Sequence, residues 1–78
     1  MQQMHETTKA QSVEHPMLVS FREDLVATRI NLERSRLALM DAKTREDVHY
    51  HREAVADGEY LVTLIEQNIK SWFPTATI

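Results

Sequence analysis

The chain has no cysteine, one glycine and two prolines among its 78 residues. Without cysteine there is no disulfide to staple a small core and no thiolate to bind a structural zinc. A single glycine excludes a glycine-rich phosphate loop. Aromatic residues make up 6% of the chain, too few for a base-stacking platform. No apolar run approaches the ~18 residues of a membrane span. The leading stretch MQQMHETTKAQSVEH has neither the basic start nor the apolar centre of a signal peptide. These absences lead us to expect a soluble, cytoplasmic protein with no membrane association. At this length a single domain is all that fits, and its core is marginal without help. With disulfides and metals excluded, association with another chain is the expected help.

What is present is charge and helical periodicity. Nine basic residues stand against 12 acidic ones, a formal net charge of −3. That balance gives no broad attraction to nucleic acid. Residues 17–43 hold five bases (Arg22, Arg29, Arg34, Arg36, Lys43) and four acids. Residues 44–73 hold three bases and six acids. The two halves therefore attract each other weakly if they lie antiparallel.

Residues 1–15 are polar and aperiodic and read as a disordered arm. His15-Pro16 then opens a helix, since proline suits a first turn and disfavours helical geometry in the residue before it. From Leu18, the residues Phe21, Leu25, Thr28, Leu32, Ser35, Leu39 and Ala42 follow steps of three and four. Val48, His51, Val55, Gly58, Val62, Ile65, Ile69 and Trp72 repeat the pattern. Both are coiled-coil seams, and the six-residue step from Ala42 to Val48 breaks their phase. Thr44, with Asp47 three residues on, reads as an N-cap. The expected fold is all-α: an antiparallel two-helix hairpin over 16–73, with helix 1 about 16–42, helix 2 about 45–73, and a tail at 74–78. Helix 2 is expected to continue through Gly58.

A turn at 42–44 predicts four layers, Leu39 by Val48, Leu32 by Val55, Leu25 by Val62 and Leu18 by Ile69. Thr28 would face Gly58 and Ser35 would face His51, so the middle should be thin. Trp72 would cover the start of helix 1.

Helix 1 carries more apolar surface than this seam uses. Val19, Val26, Ile30, Leu37 and Met40 form a second stripe, joined on helix 2 by Tyr50, Leu61, Leu64 and Phe73. Soluble monomers seldom leave such patches open. A second copy is the expected cover, giving a homodimeric four-helix bundle, and a different protein is the other. Between the two stripes of helix 1 runs a row at heptad spacing, Arg22, Arg29 and Arg36, continued by Lys43. Its stems suit the apolar flank while the heads pair with Glu66, Glu59 or Glu53; alternatively the row grips an acidic protein or phosphate. A hairpin dimer with charges on its bundle face resembles in architecture the small plasmid RNA-modulating bundles, with no shared sequence motif.

Glu46-Asp47-Val48-His49 is a Glu-x-x-His string of the kind found in di-metal carboxylate bundles, but it falls outside the apolar seam, where solvated helix-start residues belong. No metal and no cofactor is expected. With no nucleophile, no phosphate loop and no paired carboxylates in a cleft, the chain is not expected to be an enzyme. The reading is a protein-interaction module, an adaptor, chaperone or inhibitor that occludes or tethers another protein. Its partner-binding residues are taken to be Arg22, Val26, Arg29, Ile30, Arg36, Leu37 and Met40. The alternative is a nucleic-acid-binding bundle using the arginine row.

Overall fold

The computed structural model describes residues 14–78, so residues 1–13 of the N-terminal arm expected over residues 1–15 lie outside the described residues. Two long helices follow, α1 (Pro16–Met40) and α2 (Arg45–Trp72), packed against each other as a hairpin. Pro16 opens α1 where its missing N–H costs nothing. His15 caps it, its Nδ1 accepting the Met17 N–H at 3.0 Å. The helix ends two residues earlier than the periodicity implies. There the Asp41 N–H is shared between the Leu37 and Ala38 carbonyls, both at 3.2 Å, and the Ala42 N–H reaches Leu39 O. Such tightening is how a last turn satisfies carbonyls that lack helical partners.

Thr44 then lies extended and its Oγ1 accepts the Asp47 N–H at 3.0 Å, the N-cap read from the sequence. Glu46 and Asp47 in the first turn and Lys70 in the last suit the helix dipole. Gly58 is helical, and α2 runs through it unbroken. Pro74 cannot continue the helix, which ends at Trp72 with the Phe73 N–H bonded to Ile69 O at 2.7 Å.

The seam is the one expected. Leu18, Leu25, Leu32 and Ile69 are buried, and Leu39, Val48, Val55, Val62 and Ile65 are half-buried. Burial is greatest at the open end of the hairpin, where Leu18, Leu25 and Ile69 cluster with Phe21, Val62, Ile65, Phe73 and Ala76. Leu32 packs over Gly58: a Cβ added to Gly58 would come within 3.0 Å of Leu32 Cδ1 and 3.3 Å of its Cβ. The glycine thus lets the leucine approach the α2 backbone, and Thr28, Ser35 and Gly58 line one groove at the waist.

One expected detail differs, at the open end. Phe73, not Trp72, covers the start of α1, its ring centroid 5.4 Å from that of His15 and 6.4 Å from that of Phe21. Trp72 is 65% exposed. Phe73 has left helical geometry (φ −136°, ψ 68°), so its side chain no longer obeys the wheel. Nor is the tail a loose end. The Ala76 N–H bonds Phe73 O at 2.9 Å, and Arg22 donates to Thr77 O at 2.6 Å.

Leu32→Asp would place an unpaired carboxylate in the seam, and circular dichroism should show the helicity lost. Gly58→Leu should lower stability by about 1–3 kcal/mol despite the better helix propensity, because the site is already filled by Leu32. Thermal melts of the two variants check both expectations.

Candidate functional site

Heptad positions fix which surfaces the hairpin leaves open. With Leu18, Leu25, Leu32 and Leu39 at position a of α1, Arg22, Arg29, Arg36 and Lys43 fall at e. With Val48, Val55, Val62 and Ile69 at a of α2, Glu59 and Glu66 also fall at e. In an antiparallel pair the e positions share one edge, and the ion pairs follow. Arg29 meets Glu66 at 2.7 Å and Arg36 meets Glu59 at 3.3 Å. Arg36 also lies 3.7 Å from Glu33 one turn back, and Arg22 binds the Glu14 carboxylate.

The arginine row is therefore engaged within the chain, by two of the three glutamates anticipated. The third, Glu53, lies 3.6 Å from His49 on its own helix. Lys43 is 3.5 Å from Asp41 in the turn. The pairs are half-exposed, so each contributes no more than about 1 kcal/mol. They favour the register that brings their charges level along that edge.

Beyond this ladder, at positions b and f, lies the second stripe of α1. Val19, Val26, Ile30, Leu37 and Met40 are between 38 and 82% exposed. Val19, Val26 and Ile30 line a shallow groove with Arg22, Glu23 and Ala27, and Glu14 lies at its start. No α2 residue lines this groove. The partner-binding residues read from the sequence thus share one outer flank of α1, with the arginines as its rim.

The apolar residues of α2 fall elsewhere. Leu61 occupies position g, and Tyr50 and Leu64 occupy c, which places them on the edge away from the arginines. They are 46, 70 and 38% exposed, respectively. At mid-length on that edge, where Gly58, Thr28 and Ser35 thin the hairpin, a second groove runs between the helices, lined also by Asn31, Ala54 and Leu61. The stripes of α1 and α2 consequently face opposite ways, and one flat docking surface cannot take both. Phe73, grouped with the α2 stripe in the sequence reading, belongs to the core instead.

His51 is half-buried with its ring 5.1 Å from that of Tyr50. Ser35 lines the waist groove, and His51 is not among the residues lining it. Among the described residues no three His, Asp or Glu gather as a metal-binding group, and no helix is long and apolar enough to cross a membrane. The chain matches no protein-family model, no curated protein and no solved structure.

A double-mutant cycle of Arg29→Ala and Glu66→Ala should give a coupling of at most about 1 kcal/mol, shrinking with salt. A coupling several times larger would show that the ladder holds the hairpin together.

Proposed function

We propose that the chain is a small, non-enzymatic interaction module of the cytoplasm that binds another protein through the outer flank of α1. It works by occluding or tethering that protein, as an adaptor, a chaperone or an inhibitor does. Two copies of the hairpin form a homodimeric four-helix bundle that presents this flank.

One observation carries the reading. Five large apolar side chains lie open along one flank of α1 while its seam is filled by α2. Covering them removes apolar area from water at about 25 cal/mol per Å², which favours a partner with an apolar surface of its own. Val26, Ile30, Leu37 and Met40 supply the contact, and Arg22, Arg29 and Arg36 supply a polar rim, the usual anatomy of a protein interface. The nucleic-acid alternative asks the same arginines to hold phosphate. Each already has a carboxylate within the chain, so that binding would first have to break those pairs.

Affinity capture with wild-type and Leu37→Asp baits, at low and high salt, tests the proposal. Leu37 is 55% exposed, so the variant should keep its helicity. The expected result is a protein held by the wild type at high salt and lost from Leu37→Asp. Retention of nucleic acid that falls steeply with salt and ignores Leu37→Asp would replace this reading with the alternative.

A further inference from the structure

The opposed flanks raise the question of which one a second copy covers. We propose that it is the waist edge, away from the arginine ladder, with the two hairpins related by a two-fold axis close to Gly58. The outer flank of α1 then stays free. This rests on the preceding reading that the chain is an interaction module working as a homodimer.

A two-fold interface uses one patch twice, so the patch must carry both a projection and the recess that receives it. The waist edge does. Leu61 and Leu64 project, 46 and 38% exposed. Beside Leu61 the hairpin is recessed where Gly58, Thr28, Ser35 and Ala54 line the groove. An axis through the waist lays the Leu61 of each copy into the groove of the other. The outer groove of α1 belongs to a single helix, and pairing it with itself would set ridge on ridge while leaving both α2 helices outside. Of the two apolar flanks, the waist edge draws on both helices and so brings four of them around one interior.

The area suffices. A helix of 28 residues is roughly 42 Å long, and two helices side by side are about 20 Å wide, so this edge offers on the order of 800 Å² per copy, the standard for a stable complex. The need is visible too: among the described residues, only Leu18, Leu25, Leu32 and Ile69 are buried in the single hairpin. The edge has no Lys or Arg at its g positions, and its charges are Asp24 at g, Arg34 at c and Asp57 beside the groove. With Leu61 and Leu64 leading the contact, salt should change this association less than it changes the arginine ladder.

The absence of native cysteine makes a direct test clean. Under mild oxidation Asn31→Cys, or Ser35→Cys as a second position, should form a covalent dimer, because residues near a two-fold axis meet their own copies within disulfide reach. Val26→Cys, at position b on the outer flank of α1, should not. By light scattering over a dilution series, Leu61→Asp should fall to the mass of one chain with its helicity kept, while Leu37→Asp stays at two. A wild type that is monomeric throughout overturns the inference. So does the opposite pattern, with Val26→Cys cross-linking and Leu37→Asp monomeric. The two readings fail separately. If Leu61→Asp remains dimeric but Leu37→Asp still loses its captured partner, the waist assignment falls and the module stands. If Leu61→Asp is monomeric and Leu37→Asp captures as well as the wild type, the reverse holds.

Discussion

Two helices share one seam, and whatever apolar surface either carries beyond that seam must face outward. In a larger bundle a third or fourth helix closes over the remainder. Here Leu18, Leu25 and Leu32 of α1 and Ile69 of α2 are buried in the seam, with Phe21, Leu39, Val48, Val55, Val62 and Ile65 half-buried beside them, and Val19, Val26, Ile30, Leu37, Met40, Tyr50, Leu61 and Leu64 are left to the flanks. The constraint is geometric and no rotamer choice escapes it. It explains why so little is buried in the single hairpin and why the unpaired surfaces are the natural place to look for function.

The antiparallel seam decides how those surfaces are distributed. It sets the e edge of α1 beside the e edge of α2, where Arg29–Glu66 and Arg36–Glu59 pair, and turns the α1 stripe toward one side and Leu61, Leu64 and Tyr50 toward the other. Surface pairs of this kind contribute little to stability, and a charge placed at a seam edge acts through register more than through energy. The glycine at the waist acts through its size, admitting Leu32 close to the α2 backbone.

Much of this was legible in the residues themselves. The break in phase between Ala42 and Val48 gave the turn, and Thr44 with Asp47 gave the start of α2. The unbroken phase through Gly58 gave a continuous second helix, and the heptad spacing of the arginines gave the ladder with two of its acids. The failures lie where periodicity stops being a guide. Phe73 sits one residue beyond the last helical position, so the wheel assigned it to a flank while the chain folded it into the core. The tail through Thr77 has no period at all, and its bond to Arg22 could not be anticipated from pattern. The opposition of the two flanks, by contrast, was available from positions b, f, c and g, and becomes compelling only once the arginine edge is known. No pattern in the chain names the protein that the outer flank of α1 would receive.

The uneven distribution of burial along the hairpin has a kinetic side. The densest contacts, Leu18 and Phe21 with Ile69 and Phe73, join segments about fifty residues apart in sequence, whereas the turn region near Thr44 is lightly packed. A hairpin that zipped outward from its turn would gain little for each layer closed until the last ones met. The loop-closure entropy must therefore be met early and is compensated late. That favours an all-or-none transition over a graded one. It also inverts the usual fraying: amide exchange should open the turn end first and reach the helix ends beside His15 and Phe73 last.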